Sequence, residues 1–307
     1  MTKIAYIDKK MQNKSLVKII QANKIIEDYV SQGYNMTLRQ LYYQFVSKDL
    51  IPNNMKEYKK LGAIINDARL AGLIDWDAIE DRGRSMKGYY GFNSVEEALN
   101  DAAYSYRENK MNHQDTIVEV WVEKEALTGI IRRACSKWQL SFFACKGYPS
   151  QSSMHEAAQR HVRHQENGKE VVILHMGDHD PSGIDMTRDI EDRMSLFGSR
   201  AEVRRIALNM NQINEFNPLP NPAKMTDSRA SDYIHEFGNS SWELDALTPD
   251  QLNNLIEREI DNIYDKEVWA ESKIKEKNNQ DRIREIARNY DEIIEFLAEE
   301  EKWRVKK

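Results

Sequence analysis

The chain has 307 residues, of which 40% are hydrophobic and 31% charged, and its formal net charge is −6. That length accommodates more than one domain with a large core, and the acidic balance argues against a passive nucleic-acid coat. No apolar run approaches the roughly 18 residues of a membrane span, and two cysteines, Cys135 and Cys145, exclude a disulfide framework. The first residues, MTKIAYIDKKMQNK, lack the apolar stretch of a secretory signal, so the expected location is the cytoplasm. The charge is uneven: residues 1–110 carry +3 and the remainder −9. Such an imbalance fits a mildly basic binding module joined to a carboxylate-rich site, and it fits chance as well.

In chain order, residues 14–31 place Leu16, Ile19, Ile20, Ile25, Ile26 and Val30 at helical spacing, and Gly33 ends that helix. Thr37 suits the N-cap of a second helix, LRQLYYQFVSK, whose buried stripe is Leu38, Leu41, Tyr42, Phe45 and Val46. After a loop with Pro52, EYKKLGAIINDARLAG forms a third helix ending at Gly72, and RSMKGYYGF reads as a strand or wing. Helix, helix, recognition helix and wing is the order of a winged-helix DNA-binding module. SVEEALNDAAYSYRENK is a further amphipathic helix, and a domain boundary falls near residue 112.

From residue 116 the period changes. TIVEVWVEKEA reads as a strand running into a helix that ends at Lys137, and LSFFACKGYP as a second strand. A helix over 151–166, a strand over 170–177, a helix over 184–196 and the strand EVRRIAL follow. Strands alternating with helices predict a parallel sheet. Residues 212–232, with Pro218, Pro220 and Pro222, read as a connecting loop. From Thr248 as N-cap and Pro249 at the first helical position, residues 248–307 read as almost entirely helical. The expected architecture is α/β in three parts: a helical, winged-helix DNA-binding domain over 1–112, a Rossmann-like parallel-sheet domain over 113–210, and a mostly helical C-terminal extension over 211–307.

The run HMGDHDPSGID at 175–185 carries the clearest chemistry. Asp178 and Asp180 follow a buried strand, at the carboxyl edge where open α/β sheets place their sites. Glu123 and Glu125 end the first strand at the same edge if the strands are neighbours. An oxygen-only set of Glu123, Asp178 and Asp180 suits Mg²⁺ or Mn²⁺, and such an ion suits a phosphodiester; the alternative is that the two glutamates are solvated turn residues. Asp185 is either a fourth ligand or a first-turn acid complementing the helix dipole, and the second reading is preferred. His179 lies between the aspartates and points away from them. His155, His161, His164 and His175 match no zinc spacing. Arg39 and Tyr43 are four apart on one helix and share a face. A phenol there can attack a phosphodiester while an arginine one turn away stabilises the phosphate, although helical tyrosine pairs also serve as core and hydrogen-bonding residues. Arg69, Arg82, Arg84 and Lys87 are candidates for a phosphate-contacting surface, or are solvated charges.

VEKEA, KGYP and DHDPSG, in that order, resemble the Toprim domain of the topoisomerase VI A subunit and its relatives, the meiotic double-strand-break transesterases. Upstream, LRQLYY resembles that family's catalytic winged-helix signature, an arginine four residues before the nucleophilic tyrosine. The resemblance covers roughly residues 35–195 and is closest to the reduced A-subunit-like proteins of mobile elements. It implies Tyr43 as nucleophile, Arg39 as its phosphate-stabilising partner, and Glu123, Asp178 and Asp180 as Mg²⁺ ligands. Lys146 would stand at the DNA-facing rim. It also implies double-stranded DNA as substrate and a homodimer in which the tyrosine of one subunit works with the metal site of the other. An ATPase B-type subunit is a partner in that family, but no stretch here is recognisable as its docking surface. The sequence departs from the family after Pro149, where SQSSM replaces an acid and a Thr-Arg pair. SWELDAL at 241–247 resembles a C-terminal Glu-containing signature of some Toprim relatives, with no role assigned to Glu243.

The leading expectation is a type IIB topoisomerase A-subunit-like protein that cleaves DNA by tyrosine transesterification. A Toprim nuclease that hydrolyses DNA or RNA with metal-activated water, in phage defence or on a mobile element, is the alternative. A non-catalytic DNA-binding scaffold is the third, and the retained acids argue against it.

Overall fold

The computed structural model describes residues 3–80, 91–222 and 229–305. In chain order its helices are α1 (Asn13–Ser31), α2 (Leu38–Ser47), α3 (Met55–Leu70), α4 (Val95–Ser105), α5 (Thr128–Lys137), α6 (Gln151–Glu166), α7 (Pro181–Leu196), α8 (Met210–Phe216), α9 (Ala230–Phe237), α10 (Pro249–Ile263), α11 (Lys266–Arg288) and α12 (Tyr290–Val305). The principal strands are β1 (Thr116–Val122), β2 (Ser141–Ala144), β3 (Glu170–Met176) and β4 (Glu202–Ala207). A two-residue ladder pairs β5 (Asn221–Pro222) with β6 (Ser240–Ser241).

The N-terminal helices form because their apolar stripes find one another. Ile19, Ile26, Leu41, Phe45, Leu61 and Ile65 share one buried cluster. Thr37 caps α2 as expected, in a capping box: its Oγ1 accepts from Gln40 N (3.2 Å), and Gln40 Oε1 accepts from Thr37 N (2.8 Å). The expected wing falls almost wholly on residues 81–90, outside the described residues, as do Arg82, Arg84 and Lys87.

β1 to β4 form a parallel sheet in the order β2-β1-β3-β4, compatible with a Rossmann-like domain. Trp121 and Ile173 point to one face and pack with Met154, Met186 and Ile190 of α6 and α7. Val118, Val120 and Val122 alternate to the other face and are buried as well, so the central strand reads as a continuous apolar run. A buried carboxylate interrupts it. Glu119 accepts from Arg160 Nε (2.8 Å) and Nη2 (2.9 Å), from Trp121 Nε1 (3.0 Å), and faces His161 Nε2 at 3.3 Å.

Four expectations are revised. The strand ending at Val122 does not run straight into a helix; a 3₁₀ turn, Glu125–Leu127, intervenes before α5. α7 starts at Pro181 rather than Ile184, because Asp180 caps it and Pro181 takes its first position. The stretch 212–232 is not wholly loop: α8 reaches Phe216 and α9 begins at Ala230. The contacts also group the chain differently from a division at 112 and 210. One compact unit joins residues 1–85 to 116–262, and a second joins 86–115 to 263–307. Within the first, Asn253 of α10 accepts from Ala134 N and donates to Ile130 O and Tyr34 Oη, binding α10 to α5. Within the second, α4 packs on α11, where Asn279 donates to Tyr106 Oη and Gln280 to Tyr106 O. No helix among the described residues is long and apolar enough to cross a membrane.

Burial works to raise the pKa of Glu119, but its bonds to His161 and Arg160 outweigh burial and hold it at about 2, against an ordinary value of 4.5. A depressed carboxylate stabilises the fold fully above its unfolded pKa and loses that contribution as pH falls toward the folded value. Glu119→Gln is therefore expected to cost about 2 kcal/mol near neutral pH. The gap in melting temperature between wild type and variant should shrink as pH drops from 4.5 toward 2; a gap independent of pH would remove the ion-pair explanation.

Candidate metal centre

The carboxyl ends of β1 and β3 meet the turn after β6 around one ammonium group. Lys124 follows β1, and its Nζ lies 2.8 Å from Asp178 Oδ2 and 2.6 Å from Asp245 Oδ2, and also pairs with Glu243 Oε2. The carboxylate oxygens of Asp178, Glu243 and Asp245 lie within 4.8 Å of one another and could hold a metal ion. Asp178 and Asp245 are buried, and Glu243 is partly so. The other oxygen of Asp178 accepts from Leu244 N at 2.8 Å, which fixes the incoming turn. Asp245 Oδ1 is buried without a hydrogen-bond partner.

Several devices hold this geometry. Glu123 Oε2 accepts from Asp178 N (2.8 Å), so β1 pins the loop that leaves β3. Arg205 of β4 is half-buried and donates to the carbonyls of Gly177, Asp178, Gly183 and Leu208. Burial lowers its pKa to about 10, yet it stays charged at neutral pH. Gly183 packs so tightly that an added Cβ would lie 2.2 Å from Asp178 O. His179 turns away from the aspartates, as expected, but it anchors the opposite wall. Its backbone pairs in both directions with Trp242, its Nδ1 meets Tyr233 Oη at 2.8 Å, and its ring packs against Phe237. The segment carrying Glu243 and Asp245 is thereby fastened beside Asp178.

Burial would lower the pKa of Lys124, but Asp178, Asp245 and Glu243 raise it well above its ordinary value. For Asp178, burial raises the pKa and Lys124 opposes the rise; Glu123, Glu243 and Asp245 add to it. Burial is also the main cause of the raised pKa of Glu123. With all three carboxylates ionised, one ammonium leaves two negative charges uncompensated. Hard oxygen donors, excess negative charge and the orphaned Asp245 oxygen fit a divalent cation of the Mg²⁺ class.

The cluster that could hold a metal ion is not the expected set of Glu123, Asp178 and Asp180. Only Asp178 belongs to the cluster. Asp180 Oδ1 caps α7, accepting from Gly183 N (2.7 Å) and Ser182 Oγ (3.0 Å), and Glu123 is engaged by the Asp178 amide. Asp185 lies beyond the first turn of α7, and its carboxylate pairs with Tyr148, Arg188 and Arg229, so it neither joins the cluster nor stands as a first-turn acid. Glu243, Asp245, Lys124 and Arg205 lacked assigned roles. Arg205 had a signal: in a strand with two successive arginines, one must face inward.

α2 brings the predicted Arg39–Tyr43 pair to this centre. Gln40, buried in the capping box, donates to Ala126 O (3.3 Å) and docks α2 on the turn after β1. Arg39 Nη2 donates to Tyr43 Oη at 3.4 Å, and Lys124 Nζ lies 5.3 Å from the Tyr43 ring centroid. Tyr43 has a raised pKa: burial is the largest cause, Glu243 and Asp245 add to it, and Lys124 and Arg39 oppose it. An open cleft of about 1080 Å³ runs past Arg39, Lys124, Arg132 and Lys146. Lys146 lines it but pairs with Glu125 at 2.8 Å. Arg69 is committed elsewhere, stacking on Trp76 (4.5 Å) and donating to its carbonyl (2.8 Å). His161 and His175 are buried in hydrogen bonds to Ser199 and Thr187, not gathered as ligands.

Comparison of the chain with protein-family models, curated proteins and solved structures finds no match. Tyr233→Phe tests the anchoring of the acidic turn. The hydroxyl also meets the His179 and Ser240 carbonyls at 2.9 and 3.0 Å. Its loss is expected to cost about 1–3 kcal/mol in urea unfolding. Native-state hydrogen exchange should rise at Trp242 and Leu244 while the Val120 amide stays protected.

Proposed function

We propose that the protein cleaves DNA phosphodiesters with a divalent metal ion, Tyr43 acting as nucleophile, in the manner of the topoisomerase VI A subunit that it resembles. The observation that carries this reading is the placement of the Arg39–Tyr43 pair beside the acidic centre, with Lys124 between them. Asp178, Glu243 and Asp245 would hold Mg²⁺ or Mn²⁺. When bound, the ion supplies positive charge that polarises the phosphodiester and stabilises the departing oxygen.

This chain's own residues do the rest. Tyr43 Oη forms the new oxygen–phosphorus bond and gives up its proton, while the 3′ oxygen leaves and takes one. The product is a 5′-phosphotyrosyl link and a free 3′ hydroxyl, with the number of phosphoester bonds unchanged. Arg39 offsets the charge on the phosphate and on the phenol oxygen. The basic side of the cleft, Arg39, Arg132 and Lys146, suits the sugar–phosphate backbone of double-stranded DNA. A winged-helix role for residues 1–112, a Toprim role for the sheet and a homodimer belong to the same proposal.

A second reading rests on Tyr43 itself. Burial, with Glu243 and Asp245, raises its pKa above the ordinary 10.0 and so makes the phenolate harder to form, which favours water as the attacking group and a nuclease as the activity. The two readings separate on the ends produced. Supercoiled DNA incubated with protein and Mg²⁺, then quenched in denaturant, should yield protein-linked 5′ ends with wild type and none with Tyr43→Phe. Equal cleavage by both proteins, with free ends, would establish hydrolysis instead.

The resemblance implies a tyrosine working at the partner's metal site, whereas here Tyr43 adjoins the acids of its own chain. The proposal takes the pair to act within one chain. Mixing Tyr43→Phe with Asp178→Asn should then restore no cleavage. Recovery toward about a quarter of wild-type activity, the share of one competent site in mixed dimers, would show exchange between subunits.

A further inference from the structure

The ammonium of Lys124 occupies the place a cation would take. Each of the three carboxylates gives it one oxygen, and an ammonium has three protons to donate, so its hydrogen bonds are complete. A Mg²⁺ ion bound to the same oxygens at about 2.0–2.1 Å would have to sit where Nζ sits. The two cations cannot share the locus. Lys124 also has somewhere to go: it lines the open cleft, its stem is four methylenes long, and the Tyr43 ring centroid is 5.3 Å from Nζ. The buried Asp245 Oδ1, without a partner, is a further donor available to an incoming ion and unused by the ammonium.

We propose that the Lys124 ammonium and a divalent cation are alternative occupants of the Asp178–Glu243–Asp245 locus, and that entry of the ion moves the ammonium into the cleft beside Tyr43. The inference rests on reading this locus as the metal centre. Lys124 is then a positioning residue with two stations. Without the ion it holds three carboxylates together that would otherwise repel. With the ion bound, it adds a second positive charge, next to Arg39, where a phosphate would lie. Loading the ion and charging the phosphate side of the site become one event. A monovalent ion gains nothing by the exchange, because it replaces one unit charge with another and loses the covalent tether.

Amine labelling of the full-length wild-type chain, read by mass spectrometry, tests this without any variant. Lys124 should label slowly in the absence of added ion and several-fold faster with Mn²⁺, while Lys137, which is exposed and pairs with Glu257, stays constant. Constant or falling labelling of Lys124, under conditions where calorimetry registers Mn²⁺ binding, overturns the exchange. Lys124→Met, which keeps length and removes the competing charge, should bind Mn²⁺ about tenfold more tightly; equal or weaker affinity also overturns it. Asp245→Asn separates the two levels of the argument. If that variant binds Mn²⁺ as wild type does, the locus is not the metal centre. If it loses binding while Lys124 labelling in wild type is unmoved by the ion, the centre stands and only the exchange fails.

Discussion

One ammonium group and three carboxylates organise this molecule around residue 124. Lys124 leaves the end of β1, Asp178 the end of β3, and Glu243 and Asp245 arrive on a turn from far along the chain. Burying like charges in contact is costly, and removing a partner from a buried ion pair typically costs about 3–5 kcal/mol. The fold therefore surrounds the cluster with fixed geometry. The Asp178 amide is held by Glu123, the loop carbonyls by Arg205, and the acidic turn by Leu244 N on Asp178 Oδ1 and by Trp242 on His179. Each contact engages a backbone group, so the main chain that carries the carboxylates is itself held in place.

The sheet explains why the chemistry gathers there. In a parallel sheet all carboxyl ends open on one edge, and the loops leaving adjacent strands share it. β1 and β3 pair from Thr116–Glu170 to Val122–Met176, so the residues just beyond, Glu123 and Asp178, are necessarily neighbours. α7 then starts at that edge, and Asp180 caps it. α2 adds the phenol and guanidinium by docking through Gln40 on the Ala126 carbonyl. Tyr43 thus sits in a field with two signs: Glu243 and Asp245 discourage ionisation, while Lys124 and Arg39 favour it. Small shifts of the ammonium change that balance.

Much of this was legible in the sequence where a periodic signal existed. The stripes of α1 and α2, the Thr37 cap and the alternation of strands with helices each follow from local chemistry, and all are present. The Arg39–Tyr43 hydrogen bond follows from a four-residue spacing on a helix. The acidic cluster that could hold a metal ion was less legible, for two physical reasons. Glu243 precedes and Asp245 lies within a three-residue 3₁₀ turn, which has no period, and their partner Asp178 is more than sixty residues away. Asp180, by contrast, carried two signals at once: an Asp-x-Asp pair reads as chelation, and Asp before Pro-Ser-Gly reads as a helix cap. The capping signal is present in the structure: the Gly183 amide and the Ser182 hydroxyl in the first turn of α7 both bond to that carboxylate. The pairing of α4 with α11 was hidden for the reason that hid Glu243: two amphipathic faces do not state in advance which face they meet.

The arrangement also bears on which ion the centre prefers. With all three ionised, the carboxylates exceed the one ammonium by two negative charges, and Arg205 stands near Glu123 as an opposing charge. On the proposed exchange, a divalent cation that displaced the ammonium would lower the excess negative charge at the locus from two to one and leave Lys124 free to act nearby. A monovalent cation would only match what the lysine already does. On that proposal, selection for double charge is built into the resting state, before size or coordination number is considered, and it comes from a residue of the chain itself. Discrimination between Mg²⁺ and a larger ion then falls to the rigidity of the walls. Here the walls are a strand end, a capped helix and a turn bonded to a buried aspartate, and under the proposed metal role such walls would suit a small ion with strict geometry.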